Sequence, residues 1–326
     1  MNEQINLLDI NNLSVLYKTE KGNVRAVDSV TLSIDKGESL GIVGESGSGK
    51  TTLIMALLRL LPKTALIEGE AIFKGKNIFE LKEKKLKDLR WQEISIVFQK
   101  AMSSFSPLHK IGKQLTDVYN VHNKNCPKDE TIKRIKYLFK LMNLSDRVYD
   151  LYPHELSGGM LKRVAIAMSL LNNPSLVILD EATVGLDVVT QGQILKEIRK
   201  LEEEIGITSL IITHDVSVVA ENCKKVAVMY AGRLMETGYV KDVFTKPTHP
   251  YTKALLQSYP SLKGENQKLH GIKGSLPDLS KNHIGCIFAP RCTIAKEKCF
   301  KFKPELKSVK EKQEAACFFA GGEINE

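Results

Sequence analysis

Gly44-Glu45-Ser46-Gly47-Ser48-Gly49-Lys50-Thr51 constrains this chain more than any other stretch, because it stands between an apolar run at 39–43 and a helical run at 52–61. A strand, a glycine-rich turn and a helix in that order are the seed of an α/β layer. The glycines let backbone N–H groups turn inward, and the helix that follows adds partial positive charge at its start. The Lys50 ammonium can then reach the outer phosphates of a nucleoside triphosphate. Thr51 supplies the hydroxyl expected on Mg²⁺, and Thr52 continues the binding stretch into the helix. A plain strand-to-helix turn has no need of a Lys-Thr pair at its end.

On either side the pattern is that of a mixed sheet. Val30, Leu32 and Ile34 alternate with Thr31, Ser33 and Asp35, the period of a half-buried antiparallel strand, so an antiparallel flap is expected before the loop. The branched apolar runs 176–179, 209–212 and 226–229 suit strands buried on both faces of a mostly parallel sheet. Between 114 and 147 the period changes. Ile132, Ile135, Leu138, Phe139 and Met142 form one face of a helix beginning at Pro127, which predicts a helical subdomain spanning about 100–170. Regular patterning ends near Gly238 and the chain turns lysine-rich after Pro247. The division is therefore a nucleotide domain at 1–240 and a small C-terminal module at 241–326.

Two further stretches carry chemistry. Leu176-Val177-Ile178-Leu179-Asp180-Glu181 is an apolar strand running into two carboxylates. Asp180 is placed to join the Mg²⁺ shell, and Glu181 to polarise a water attacking the γ-phosphate. Leu156-Ser157-Gly158-Gly159-Met160 begins a helix whose apolar positions Leu161, Val164, Ala165, Met168 and Leu171 fall three or four apart. Ser157 is its expected N-cap, and Gly158 and Gly159 expose backbone donors, a second anion-binding start in one chain.

In this order the motifs resemble those of the ATP-binding subunit of an ABC transporter, over essentially the whole chain. The loop with Lys50 is similar to Walker A, Gln99 after the strand 94–98 to the Q-loop, and 156–160 to the signature motif. Asp180 and Glu181 are similar to Walker B, Gly185-Leu186-Asp187 to the D-loop, and His214 after Ile211-Ile212-Thr213 to the switch histidine. Tyr17 stands where the family places an aromatic that stacks on adenine. The resemblance implies an active ATP hydrolase with Glu181, His214 and Gln99 as catalytic residues and Mg²⁺ held through Thr51, Gln99 and Asp180. It also implies that Ser157, Gly158 and Gly159 close over ATP bound by a second subunit. Two departures are visible: Ala182 replaces the usual proline after Glu181, and Leu161-Lys162 replaces a more polar pair.

The tail narrows the resemblance. Thr248-His249-Pro250-Tyr251-Thr252 and Gly285-Cys286-Ile287-Phe288-Ala289-Pro290-Arg291-Cys292 resemble the oligopeptide and dipeptide permease ATPases, some of which move nickel chelates or other small solutes. Peptide import is the first expectation. Cys286, Cys292, Cys299 and Cys317 could complete an iron–sulfur cluster or a zinc site. Tight Cys-x-x-Cys pairs are missing, and some subfamily members hold a 4Fe-4S cluster at corresponding cysteines, so the resemblance implies the cluster, with simple free thiols and zinc as the alternatives. Cys126 and Cys223 are read as unliganded thiols.

The implied partners are two transmembrane permease subunits, a second, non-identical ATPase and, indirectly, a substrate-binding protein. A net charge of +9 suits an anionic lipid leaflet or a nucleic acid. Charge alone selects neither. Lys296, Lys298, Lys301, Lys303, Lys307, Lys310 and Lys312 in the tail read first as a solvated basic face and otherwise as a contact for anionic lipid or a permease loop. A soluble ABC ATPase acting on nucleic acid is the alternative of another class, but the chain has one nucleotide domain and no clear basic-aromatic surface, so no nucleic acid is expected. No apolar run reaches the roughly 18 residues of a membrane span, and 1–10 lacks a secretory profile. The expected place is the cytoplasmic face of the membrane, peripherally.

Overall fold

The computed structural model describes residues 6–20, 22–99, 104–259 and 271–321. The start of the N-terminal stretch read for a leader, 1–5, and the first positions of the helical insert, 100–103, lie outside the described residues. The chain opens with β1 (Asn6–Thr19), β2 (Gly22–Asp35), β3 (Ser39–Val43), α1 (Lys50–Leu57), β4 (Ala65–Phe73) and β5 (Lys76–Asn77). Its middle carries α2 (Glu83–Gln92), β6 (Ile94–Val97), α3 (Ile111–His122), α4 (Lys128–Leu141), α5 (Gly158–Ser169), β7 (Leu176–Asp180), α6 (Val188–Ile205) and β8 (Thr208–Thr213). Then come α7 (Val216–Asn222), β9 (Lys225–Tyr230), β10 (Arg233–Tyr239), α8 (Val240–Thr245), α9 (Pro250–Gln257), α10 (Glu297–Lys301), β11 (Lys307–Lys310) and β12 (Gln313–Ala315). Two compact units result, one from 1–35, 39–80 and 212–326, the other from 36–38 and 81–211.

The first unit contains the antiparallel flap, in the order β2-β1-β4-β5. Alternation decides which face is covered: Val30, Leu32 and Ile34 are buried while Ser29, Thr31 and Ser33 are exposed. A second set of strands in this unit runs β11-β12-β10-β9-β3. β3 lies parallel to β9, pairing Val43 with Val228, and is buried along its whole length. The remaining pairs are antiparallel. The tail thus adds two strands to the edge of β10, which no periodicity in Lys-Ser-Val-Lys announces.

Beneath those strands the tail and β9 share a core. Tyr230, Tyr251 and Phe288 are fully buried, with Tyr230 4.7 Å from Tyr251 between ring centroids and 5.3 Å from Phe288 at 85°. Such edge and offset contacts add about 0.5–1.5 kcal/mol per pair beyond the area they bury. Val43 at the end of β3 belongs to the same cluster as Tyr251 and Phe288. Tail packing and loop position are therefore linked through one core.

In the second unit β6 and β7 are parallel and in register from Ile94 with Leu176 to Val97 with Leu179, and β8 lies beside β7. β7 and β8 are buried at every position, as uninterrupted apolar runs require. Ile111 and Leu115 of α3 and Ile135, Leu138 and Phe139 of α4 fill the helical insert, with Met142 just past its end. Pro127 is the N-cap of α4, where its missing N–H costs no hydrogen bond, and Asp129 and Glu130 follow in the first turn. Among the described residues no helix is long and apolar enough to cross a membrane.

Candidate nucleotide site

The loop between β3 and α1 requires glycine at three points, and at Gly44 a Cβ would stand 2.0 Å from the Met229 carbonyl oxygen. Gly49, the N-cap of α1, has φ +98° and Gly47 has φ +79°, and a Cβ on Gly49 would run into the Ala26 carbonyl oxygen. Residues with side chains avoid that region, so the cradle depends on these glycines. Ser48 N–H donates to Glu45 O at 3.1 Å, and Gly232 N–H donates to Ser48 O at 2.9 Å. The buried Lys50 curls back over the loop. Its ammonium donates to Gly44 O at 2.8 Å, Glu45 O at 2.9 Å and the Ser48 hydroxyl at 3.1 Å. Thr51 is exposed in the first turn of α1 and Thr52 half-buried beside it. A glycine-only cradle capped by an ammonium, with a hydroxyl at the helix start, fits a nucleotide's phosphates and Mg²⁺.

Two other expected residues belong to the same unit. Tyr17 is half-buried on β1, between Val24 of β2 and Ala65 of β4. His214 is exposed just past β8, and its carbonyl oxygen accepts from the Tyr259 hydroxyl. Asp215 caps α7, its Oδ1 accepting from Ser217 N–H at 2.9 Å. The histidine backbone is pinned on both sides.

The second unit brings together Gln99 and Glu181. Because β6 and β7 are parallel neighbours, the residues just past their C-terminal ends meet, and Gln99 Nε2 donates to Glu181 Oε2 at 2.6 Å. Glu181 has φ +49°, a strained region for a residue with a Cβ and one that recurs at functional positions. Asp180 is buried as the last residue of β7.

The signature segment is also assembled there. Ser157 caps α5, its hydroxyl accepting from Met160 N–H at 3.2 Å. Asp187 caps α6, its Oδ1 accepting from Thr190 N–H at 2.9 Å, and that bond holds its carboxyl below the usual range. A Cβ on Gly159 would lie 2.8 Å from Thr190 Cγ2, so α5 and α6 approach through the missing side chain. Ser157, Gly158, Gly159, Arg163, Gly185 and Asp187 line an open cavity of about 500 Å³. Lys162 is buried, its ammonium donates to Val184 O, and burial pushes its pKa down. The departure from family pattern at Lys162 thus ties α5 to the turn that precedes α6.

Sequence reasoning missed contacts made by the tail. Glu45 N–H, expected on phosphate, donates to the Tyr251 hydroxyl at 3.0 Å, and Glu45 Oε2 accepts from Arg291 Nη1 at 2.9 Å. Both partners fall inside the stretches 248–252 and 285–292, yet no spacing links them to residue 45.

The expected cysteine centre requires correction. Cys286, Cys292, Cys299 and Cys317 line one small cavity with His249 and Phe288, but its volume is about 10 Å³, room for about one water. Among the described residues no group of three or more His, Cys, Asp or Glu side chains could hold a metal ion. Burial raises the Cys286 and Cys292 thiols and pushes Cys317 up to about 11, and Cys317 Sγ accepts from Phe319 N–H at 3.4 Å. Protonated thiols in an apolar pocket act as small packing groups. Neither the 4Fe-4S cluster nor its zinc alternative is supported.

Comparison with known proteins identifies what the chain is similar to. Residues 27–184 match a family model described as ABC transporter, and 235–299 match one described as oligopeptide/dipeptide transporter, C-terminal region. The chain is 41% identical to the oligopeptide transport ATP-binding protein OppD of Haemophilus influenzae, covering 98% of this chain and 99% of that one. It is 40% identical to a probable peptide ABC transporter ATP-binding protein of Sinorhizobium fredii, covering 98% and 96%. OppD of Escherichia coli is 43% identical over 91% of this chain and 89% of its own. Among solved structures, the dimeric ATP-binding cassette MJ0796 with ADP and Pi superposes with a TM-score of 0.65 at 29% identity, covering 72% of this chain and 98% of that chain.

Proposed function

The chain belongs to the ABC transporter ATP-binding proteins, in the group with an oligopeptide/dipeptide transporter C-terminal region, and we propose that it energises peptide import as the ATP-hydrolysing subunit of a membrane complex. One observation carries the reading: similarity to oligopeptide transport ATPases runs through cassette and tail alike, over 98% of this chain. Residues 1–240 are assigned to the nucleotide domain, with its helical subdomain at about 100–170, and 241–326 to the transporter-type module.

The roles follow residue by residue. Backbone donors of Gly44 to Thr52 and the Lys50 ammonium bind the phosphates, and Tyr17 stacks on adenine. Thr51, Gln99 and Asp180 would hold Mg²⁺, which when bound neutralises charge on the outer phosphates. Glu181 accepts the proton of the attacking water as oxygen bonds to the γ-phosphorus and the bond to the bridging oxygen of ADP breaks. The 2.6 Å bond from Gln99 supports this role by fixing which way the Glu181 carboxylate points. His214 holds the γ-phosphate region. Ser157, Gly158 and Gly159 act on ATP bound by a second ATPase subunit, with Asp187 beside them, an arrangement consistent with the dimeric cassette MJ0796. The chain works at the cytoplasmic face, docked on two permease subunits and served by a substrate-binding protein.

The test is ATP hydrolysis by the reconstituted complex, stimulated by its binding protein loaded in turn with peptides and with metal chelates. Stimulation by peptides is expected. Stimulation by chelates alone would overturn the peptide reading, and hydrolysis unaffected by any loaded binding protein would overturn the importer reading.

A further inference from the structure

We propose that Arg291, a residue of the C-terminal module, is a positioning residue of the nucleotide site, whose guanidinium cancels the Glu45 carboxylate inside the phosphate-binding loop and so sets the loop's affinity for a triphosphate. The proposal rests on the reading of that loop as the ATP site. An anion at the second position of an anion-binding loop opposes the loop's purpose unless it is neutralised. Arg291 neutralises it at 2.9 Å, from a side chain only 7% exposed. Among the described residues the other carboxylate oxygen, Glu45 Oε1, is buried with no hydrogen-bond partner, and Arg291 makes the carboxylate's hydrogen bond.

The guanidinium is built in rather than resting on the surface. Its Nε donates to Lys273 O at 2.8 Å, Nη2 to Ile272 O at 3.1 Å and Nη1 to the Tyr230 hydroxyl at 3.2 Å, and it stacks over the Tyr230 ring at 5.5 Å. That fork geometry needs arginine, which stays charged at every working pH. Two other parts of the tail grip the same loop: Tyr251 takes the Glu45 N–H, and Leu276 lies against Gly47, where an added Cβ would stand 3.3 Å from its Cδ1. Glu45 O is also an acceptor for Lys50. A shift of Glu45 therefore reaches the phosphate-binding ammonium directly.

The sign of each substitution separates charge from packing. Two like charges within about 10 Å at an effective permittivity near 20 change an affinity by roughly tenfold. In the full-length chain titrated with MgATP by calorimetry, Arg291→Met is expected to weaken binding by about tenfold. Glu45→Gln, which leaves Arg291 as a cation beside the loop, is expected to tighten it severalfold. The double variant should return to within about threefold of wild type. In the reconstituted complex the change should fall on KM for ATP more than on kcat. An unaltered dissociation constant in Arg291→Met, or losses in both single variants that deepen in the double, would overturn the proposal. If Arg291→Met does not fold, Glu45→Gln decides alone, tighter binding supporting the proposal and weaker or equal binding overturning it. Wild-type chain that binds no MgATP, or binds it equally well after Lys50→Ala, instead overturns the ATP reading on which the proposal stands.

Discussion

Replacing Asp28 with Asn should lower stability by about 2–3 kcal/mol, and the pH dependence of the loss identifies its cause. Asp28 is 8% exposed on β2; its Oδ2 accepts from Arg233 Nε at 2.5 Å and Lys303 Nζ at 3.1 Å. Burial by itself would raise the carboxyl's pKa, but Arg233 and then Lys303 outweigh it, and the pKa lies below the usual value. Losing one partner of a buried pair costs about 3–5 kcal/mol, because the other charge stays buried and uncompensated. Arg233, 12% exposed, would keep backbone carbonyl partners such as Gly285 O at 3.2 Å but no counter-charge among the described residues. Lys303 is 39% exposed and can turn to water, so its share is at most about 1 kcal/mol. The Asn oxygen can still accept one bond, which brings the total down to about 2–3 kcal/mol, or about 3–4 °C in Tm for a chain of this size. Urea unfolding at constant m value measures it. Since the folded carboxyl titrates below its unfolded value of about 3.9, the contribution is fully present above that pH and is lost as pH falls through the folded pKa. The gap between wild type and variant should therefore hold steady from about pH 8 to 5 and begin to narrow only as pH falls below about 3.9. A gap under about 0.5 kcal/mol near neutrality, or one that persists undiminished in acid, would refute the ion-pair reasoning.

Glu181→Gln should lower phosphate release by the assembled complex about a hundred- to ten-thousand-fold, with MgATP binding retained; near-normal turnover would remove Glu181 as the base. Lys162→Met leaves the Val184 carbonyl without its donor and should cost about 1–3 kcal/mol in urea unfolding, part of which Lys162→Gln should restore; equal losses in both variants would assign the effect to packing. Anaerobically purified protein should contain neither iron nor zinc by elemental analysis, and chelator treatment should leave its unfolding midpoint unmoved. Stoichiometric metal with a chelator-sensitive midpoint would reinstate a centre at the four cysteines.

What was legible in the sequence was local or periodic. Runs such as Leu176 to Asp180 announced a strand buried on both faces, and β7 is buried throughout. The alternation through Ile34 announced the flap, and Ser157 announced a cap that its hydroxyl makes. Other features depend on residues far apart. Glu45 and Arg291 are separated by 246 positions, and neither carries a local mark of the other. β11 shows no apolar alternation because most of it faces solvent; it is strand because β12 offers an unpaired edge. The cysteines misled for a related reason. Their spacing permits a ligand set, but the bulk of Phe288 and His249 around them determines how little room remains.

The discontinuity of the first unit has a consequence for how the chain is made. Its strands come from 6–80 and from beyond 212, and β3 finds its parallel neighbour only when β9 has left the ribosome. The segment 81–211 is nearly continuous and is able to collapse while synthesis proceeds. The flap and phosphate loop must wait, with β3 among apolar surfaces not yet covered, and such long-range pairings form slowly and invite aggregation. The edge of β10 is covered only when β12 pairs with it, and β11 then becomes the outer strand. Until then β10 presents an unpaired edge of the kind that pairs with other chains.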